Sequence, residues 1–323
     1  MRLPAALALA ALAACSSPED RAAKARLFSA GEERAAATPF DWERPERSLA
    51  MDADEVAARL GSFDWEATVT WTVWRGKEAG RARVVEHHRL RQAGSGEFEV
   101  QSDLDPGGAE GAETGKRVIW ANRMTYARSR FAPFGAWRER PTDRGRDARR
   151  YREESFGVAA DCLSLAAPWK LAPAGEAVFL RRQGRRFVLS LDAAAGREAP
   201  SRPGVHPPDG GPDEDTRRRL AFLDGREPVK LEGELVADAA SGAPLKVHLR
   251  AAFRVKGDPE ARAEVEVASQ VKALGAAVAA VAPPREVLPD ERKTRGVARA
   301  LEAAGLRKRG QAAEEEEAPD EGE

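Results

Sequence analysis

The chain has 323 residues, of which 42% are hydrophobic and 33% charged, enough to build one large domain or two small ones around an apolar core. Its 52 Lys and Arg residues balance 53 Asp and Glu residues, so no charge excess points to a nucleic acid partner. After residue 14 no apolar run reaches the roughly 20 residues that a membrane-spanning helix needs. These features predict a water-soluble folded body.

The amino terminus has the pattern of a secretory signal. Arg2 gives a basic start, residues 3–14 are rich in Ala and Leu, and small residues precede Cys15. This order is typical of a signal peptide, which we assign to residues 1–14. The ending Leu12-Ala13-Ala14-Cys15 resembles the lipobox of bacterial lipoproteins.

The lipobox resemblance implies a lipid anchor on Cys15. In that family the thiol receives a diacylglycerol, the leader is cut just before the cysteine, and the new amino group is usually acylated. Two or three acyl chains on one residue hold a protein on a membrane, whereas one chain holds it only marginally. By analogy with proteobacterial lipoproteins, Ser16 implies release to the outer membrane, with the body facing the periplasm. The alternative is an ordinary signal peptide with Cys15 incidental.

The second cysteine has a different context. With Cys15 lipidated, Cys162 is the only thiol left, so no intrachain disulfide can form. The neighbours of Cys162 are apolar and of helical pattern, which predicts a buried and unreactive thiol.

The chain after Cys15 divides into a tether and a domain. Residues 15–50 are rich in Ala, Glu, Arg and Pro and predict a flexible tether. The domain spans 51–285. It begins with a predicted helix over 52–60, capped by Asp52 or Asp54.

Most of the domain predicts β-structure. Residues 65–73 alternate strictly between large apolar and polar side chains, the signature of a half-buried strand. Strands joined by turns predict an antiparallel meander, because parallel strands need long crossovers. The further predicted strands are 83–91, 97–104, 117–127, 137–140, 177–182, 185–192 (with a hairpin at Gln183-Gly184), 229–237, 245–255, 263–271 and a possible one at 276–281.

Other segments interrupt or follow these strands. Residues 144–165 predict a helical segment that could cover one face of the sheet. An insertion at about 193–216, rich in Pro, Gly and acidic residues, is too polar to join a core and predicts disorder. Residues 286–310 predict a C-terminal helix, centred on 293–305, and 311–323 a disordered acidic tail.

The order of these elements, over about residues 53–285, resembles the bacterial lipoprotein-carrier and mycobacterial lipoprotein superfamily. The local residues that carry the resemblance are Asp238, Gly242, Pro244, Leu245, Lys246 and Val247, between two predicted strands. The resemblance implies an α+β fold in which a curved antiparallel sheet, an open half-barrel, carries helices over its concave face. It also implies a lipid-binding cavity between the sheet and the helices.

The sequence shows no pattern typical of catalysis. His87 and His88 are neighbours on a predicted strand, so they point to opposite faces and cannot chelate one ion. We identify no nucleotide-binding or nucleophile motif, and we expect no metal, no cofactor and no enzymatic activity. A hydrolase would require a Ser or Asp beside a base in a pocket.

Aromatic side chains are the remaining candidates for a site. Trp71, Trp120, Tyr126 and Trp137 are candidates to line an apolar cavity, with Trp120 and Tyr126 on one face of a single strand. The alternative is that these side chains simply pack the core. The leading hypothesis is a non-catalytic lipoprotein, with the membrane as its partner through the anchor, that binds or carries a lipid, an acylated ligand or a lipoprotein. The alternative function is a structural envelope lipoprotein with a filled core and a protein partner.

Overall fold

The structure, a computed structural model, describes residues 39–76, 82–107, 113–131, 135–140, 145–192 and 222–288. The predictions for the signal peptide, Cys15, most of the tether, the polar insertion, the helix at 293–305 and the acidic tail lie outside these residues.

Three α-helices and eleven strands are described, along with two short 3-10 helices, Pro45–Ser48 and Gly275–Ala277. The helices are α1 (Ala53–Leu60), α2 (Gly145–Phe156) and α3 (Val158–Leu165). The strands are β1 (Phe63–Arg75), β2 (Ala82–Gln92), β3 (Phe98–Asp105), β4 (Thr114–Ala121), β5 (Met124–Ser129), β6 (Arg138–Arg140), β7 (Trp169–Phe179), β8 (Arg182–Leu191), β9 (Arg226–Asp238), β10 (Pro244–Val255) and β11 (Asp258–Leu274).

The strands form one open antiparallel sheet in the order β6-β5-β4-β3-β2-β1-β11-β10-β9-β8-β7. Each half of the chain is a meander, and the pairing of β1 with β11 joins the two halves. Strands β6 and β7 are therefore the two edges. Because α2 and α3 lie between them in sequence, the chain crosses from one edge to the other through these helices. The prediction of an open antiparallel sheet is confirmed.

The two faces of the sheet differ sharply in composition. One face, called here the helix-bearing face, carries the buried side chains of β1 (Phe63, Trp65, Ala67 and Val69) and their neighbours on β2, β10 and β11. The opposite face, called here the open face, carries the alternate residues, such as Glu66 and Arg89. This separation follows from the period of two in each strand.

The two ends of the sheet also differ. At the turn end, tight turns at 122–123 and 180–181 join neighbouring strands. At the loop end, the connections 76–81, 106–113 and 192–225 are longer. We use these two names below to locate features along the strands.

Helix α1 starts as its sequence predicts. Asp52 is the N-cap, and its carboxylate accepts a hydrogen bond from the backbone N–H of Glu55 at 2.7 Å. Val56 and Leu60 are buried, one turn apart. The single helix predicted over 144–165 is instead two helices, which are separated at Gly157.

Two predicted strand boundaries were wrong because the turns lack the usual glycine. The strand predicted over 117–127 is a hairpin, with Asn122 and Arg123 at φ of 52° and 62°. The hairpin predicted at Gln183-Gly184 instead turns at Leu180-Arg181, where φ is 49° and 62°. Both turns have the two positive φ values that a two-residue hairpin of this hand requires, and residues other than Gly, Asn and Asp rarely announce them.

The strand considered at 276–281 does not form. After the 3-10 helix Gly275–Ala277, residues 278–288 run without regular structure, and we call them the C-terminal strap. Val281 in the strap is buried against Ile119 and Ala121 on the open face. Leu288 exchanges backbone hydrogen bonds with Trp137 and Glu139, so the strap ends against the β6 edge.

Candidate functional site

The four aromatic candidates divide between the two faces. Trp71 and Trp120 pack against the main core on the helix-bearing face. Tyr126 and Trp137 belong to the small cluster on the open face, with Ile119. The structure therefore does not bring the four side chains around a single space, and whether any of them contacts a ligand stays a prediction.

The separation of Trp120 from Tyr126 follows from the unforeseen hairpin. On one continuous strand, residues 120 and 126 share a face because their spacing is even. In the structure the turn at Asn122-Arg123 intervenes, and Trp120 pairs with Thr125 while Tyr126 pairs with Ile119. Residues that lie directly opposite each other share a face, so Tyr126 is on the side away from Trp120.

Helix α2 lies across the N-terminal half of the sheet. Towards the loop end, the Tyr151 hydroxyl donates a hydrogen bond to the backbone oxygen of Lys116 at 3.2 Å. At the turn end, the ring of Phe156 packs against Phe63 and Trp65, with centroids 5.8 and 5.1 Å apart. The helix thus runs from β4 towards β1 as it approaches the turn end.

Helix α3 continues over the C-terminal half. It contacts β1, β10 and β11, and it buries Val158, Ala159, Cys162 and Leu163. Its last residue, Leu165, accepts a hydrogen bond through its backbone oxygen from Nε of Arg226, the first residue of β9, at 3.2 Å. The two helices are therefore adjacent at the turn end and lead to different halves of the sheet at the loop end.

Between the two helices, towards the loop end, the helix-bearing face keeps an apolar surface that is only partly covered. Trp71 and Val84 lie opposite each other on β1 and β2 and are half-buried. Val73 on β1 is 43% exposed and Leu104 on β3 is 37% exposed. We call these four residues the apolar strip. It extends about 7 Å along β1 and about 10 Å across three strands.

The space beneath the helices at the turn end is nearly filled. Trp65, Phe156 and Leu245 are among the residues that surround a cavity of about 30 Å³. A cavity of this size holds one or two water molecules, whereas pockets for drug-sized ligands measure roughly 300–1,000 Å³. A bound chain would therefore have to lie on the apolar strip or displace the helices.

A buried arginine fixes α2 to both α1 and the sheet. Arg152 is only 2% exposed, and its guanidinium donates to both carboxylate oxygens of Asp54 at 2.7 and 2.8 Å. It also donates to Oε1 of Gln92 at 3.0 Å and lies 4.7 Å from the centroid of the Phe98 ring. Glu153 accepts from Arg152 at 2.7 Å and from the backbone N–H of Ala53 at 3.0 Å. These contacts hold three elements in one arrangement.

A second buried polar chain joins α2 to β2. His88 Nδ1 lies 2.8 Å from the hydroxyl oxygen of Ser155, and His88 Nε2 lies 3.2 Å from Oε2 of Glu86. Serine, histidine and a carboxylate are the residue types of many hydrolases. Ser155 is only 2% exposed, however, and lines none of the cavities described here, so in this conformation a substrate carbonyl cannot reach it. The chain of hydrogen bonds joins the helix to the sheet.

Sequence reasoning missed both polar chains, although one prediction came close. His87 and His88 do face opposite sides of β2, as predicted: His87 is exposed beside Thr68, and His88 is buried. The partners of His88 and Arg152 come from segments that are distant in sequence. No local pattern identifies such partners.

The predicted burial of Cys162 is confirmed. The thiol is free and buried, and burial, assisted by the negative charges of Glu86 and Asp161, raises its pKa to about 12. A thiol with this pKa is almost entirely protonated at neutral pH and is a poor nucleophile.

Within the described residues, no cluster of three or more His, Cys, Asp or Glu side chains is placed to hold a metal ion. Among the same residues, no helix is both long and apolar enough to cross a membrane.

No protein-family model matches the chain, and no curated protein matches it. Three solved structures show distant similarity. A DUF1329 family protein from Desulfovibrio piger is 8% identical, with 73% of this chain and 94% of that chain covered, at a TM-score of 0.23. A domain described as an outer membrane lipoprotein-sorting protein from Vibrio parahaemolyticus is 11% identical, with 71% and 93% covered, at a TM-score of 0.21.

The third is a β-barrel-like protein of the DUF1849 family from Brucella abortus, 10% identical, with 66% and 100% covered and a TM-score of 0.18. At this level of similarity, the function has to be inferred from the protein's own residues.

The attachment of α2 generates a stability prediction. Replacing Arg152 with Leu leaves the fully buried Gln92 side chain without its donor and separates α1 from α2. We expect a loss of about 2–4 kcal/mol in the free energy of unfolding, measured by urea denaturation. The matched control is Arg150→Leu on the same helix, since Arg150 is 79% exposed and pairs only at the surface with Glu154. The control should change stability by less than about 0.5 kcal/mol. Equal losses in the two variants would contradict this account of Arg152.

The same contact predicts a pH dependence. Hydrogen bonds from Arg152 are the main cause that lowers the pKa of Asp54 from its ordinary value of 3.8. A lowered folded-state pKa stabilises the fold above the unfolded pKa, and this stability is lost as the pH falls through the folded value. The stability difference between the wild type and Arg152→Leu should therefore be constant above about pH 5 and shrink at lower pH. A difference that grows on acidification would be the opposite sign and would rule out this linkage.

Proposed function

We propose that the protein is a lipid-anchored component of the bacterial envelope that binds an acyl chain of a lipid or acylated ligand without catalysis. The observation that carries the proposal is the apolar strip, which lies partly uncovered between two helices on a face that is otherwise core. The anchor is Cys15, and its cellular location is the periplasmic side of the outer membrane.

The described N-terminal segment indicates how the tether meets the domain. Phe40 packs at the turn end, so close to Gly242 that a side-chain Cβ there would lie 2.0 Å from the Phe40 ring. Trp42 stacks on Phe187, with ring centroids 5.9 Å apart and planes 12° apart. The tether therefore joins the domain at the end of the sheet opposite the apolar strip. Residues 16–38 could extend up to about 80 Å, so the strip could lie well away from the membrane.

The apolar strip offers an acyl chain a surface and an entrance. Burial of an acyl chain gains about 0.8 kcal/mol per methylene, or roughly 12 kcal/mol for about 15 methylenes before the cost of immobilisation. Part of a chain could be covered on the strip itself, between α2 and α3. Covering the rest would require the helices to move, because the cavity beneath them measures only about 30 Å³.

The anchor predicts incorporation of fatty acid at one position. In cells grown with radiolabelled palmitate, the wild-type chain should be labelled and should sediment with membranes, because Cys15 carries the acyl groups. Cys15→Ser should abolish the label and release the protein. The matched control is Cys162→Ala, which removes the buried thiol and should leave labelling unchanged. Labelling that persists in Cys15→Ser would refute the anchor.

The apolar strip predicts where a fatty acid binds. Val73→Asp or Leu104→Asp should weaken the binding of a fluorescent fatty acid at least tenfold, because each places a charge on the surface that the chain must cover. Both sites are exposed enough to accept a carboxylate without unfolding, which a thermal melt can check. Binding is measured by fluorescence titration of the Cys15→Ser chain.

Val188→Asp is the control for the strip, since Val188 is 45% exposed on the open face of β8. It should bind the probe as the wild type does. If all three variants bind equally, or if the wild type binds no fatty acid, the assignment of the strip is wrong.

A second candidate function is a structural envelope lipoprotein with a filled core and a protein partner. The small cavity beneath the helices favours this candidate, because a packed interior leaves only the surface for interactions. Lipid extracted from the purified protein and identified by mass spectrometry would favour the carrier. A ligand-free protein that binds no fatty acid would favour the structural role.

A further inference from the structure

The open face carries a row of arginines that crosses neighbouring strands. Arg89 on β2 lies opposite Gln101 on β3, Gln101 lies opposite Arg117 on β4, and Arg117 lies opposite Arg128 on β5. Neighbouring strands are about 4.8 Å apart, so the four side chains form a line about 14 Å long. Like charges directly opposite each other in a sheet are destabilising, so the Arg117–Arg128 pair has an energetic cost.

The carboxylates nearby neutralise only part of this row. Glu99 accepts hydrogen bonds from Arg117 and lies 3.5 Å from Arg91. Asp103 accepts from Arg130 at 3.2 Å and from Gln101 at 2.6 Å. Arg128, by contrast, has Arg117 and Arg130 as its charged neighbours on either side, with Glu99 as the only compensating charge.

Arg128 is held in place without being satisfied. Its guanidinium lies 4.8 Å from the centroid of the Trp137 ring, and that of Arg117 lies 5.5 Å from the same ring. Among the described residues, Nε of Arg128 is buried and has no hydrogen-bond partner. Burial and the positive charges of Arg117 and Arg130 lower the pKa of this guanidinium. An anion beside Arg128 would offset both the missing partner and the repulsion.

A groove gives such an anion room. It runs over the open face from β11 to β4, has a volume of about 480 Å³, and is lined by five basic and three acidic side chains. Among the basic residues, Lys272 pairs with Glu66 at 3.0 Å and Arg91 pairs with Asp64 at 3.0 Å. Arg89 lies in the middle of the groove, so the groove and the arginine row meet there.

We propose that this groove is a binding site for a phosphate group, held between Arg89 and the Arg117–Arg128 pair. Planar guanidinium groups match the oxygen geometry of phosphate and bind it through paired hydrogen bonds. Gln101, between the arginines, can donate from its side-chain amide to a further oxygen. The site is on the face opposite the apolar strip and does not depend on acyl-chain binding.

Two probes test the site and distinguish the sources of the phosphate group. The Cys15→Ser full-length chain is titrated with inorganic pyrophosphate by calorimetry, and separately with vesicles of phosphatidylglycerol or of phosphatidylcholine alone. Saturable pyrophosphate binding without preference for phosphatidylglycerol indicates a soluble phosphate. Binding to phosphatidylglycerol that pyrophosphate competes away indicates a lipid headgroup.

Arg128→Gln and Arg89→Gln should each weaken the binding of whichever probe binds at least tenfold and reduce its salt dependence. Arg128→Gln should not lower the melting temperature, because it removes a repulsion; Arg89→Gln, at an exposed position, provides an independent variant. The control is Arg250→Gln, an arginine on the open face that pairs with Glu264 at 3.0 Å, and it should bind within twofold of the wild type. The proposal is overturned if neither probe binds, or if Arg250→Gln weakens binding as much as the other two variants do.

Discussion

The pairing of β1 with β11 is the constraint on which the rest of the structure depends. Each half of the chain could form a meander from local turns alone, but only this long-range pairing joins the halves into one sheet. The pairing moves β6 and β7 to opposite edges. The segment between them must therefore cross the sheet, and α2 and α3 cover the face that they cross. The helices lie where they do because of a contact between strands distant from them in sequence.

The helices are fixed to that face by polar as well as apolar contacts. Phe156 and the buried residues of α3 supply apolar packing, while Arg152 and His88 each satisfy a buried hydrogen-bonding network. Buried polar groups are costly when one partner is lost, so these networks favour a single position of α2. The same arrangement leaves the loop end of the face uncovered, and the apolar strip is a consequence of where the helices diverge.

The two faces of the sheet offer different chemistry. The helix-bearing face is apolar and nearly filled, with the apolar strip as its exposed part. The open face is charged, and most of its cations pair with neighbouring carboxylates across strands, as Lys272 pairs with Glu66. Arg128 departs from this pattern because its opposite neighbour is Arg117. A sheet with one apolar and one charged face can bind two kinds of ligand, or two parts of one, without competition between them.

The sequence by itself determined the strands, the antiparallel arrangement, the start of α1 at Asp52 and the burial of Cys162, because alternation, capping and local apolarity are properties of neighbouring residues. It misplaced the turns at Asn122-Arg123 and Leu180-Arg181, where residues with positive φ stand without glycine. That error put Trp120 and Tyr126 on one face. Only the tertiary structure decided which strands pair across the centre, which partners satisfy Arg152 and His88, and that three arginines align on neighbouring strands. The reason is physical: register between distant strands depends on the whole set of contacts made on folding, and no window of the sequence contains that set.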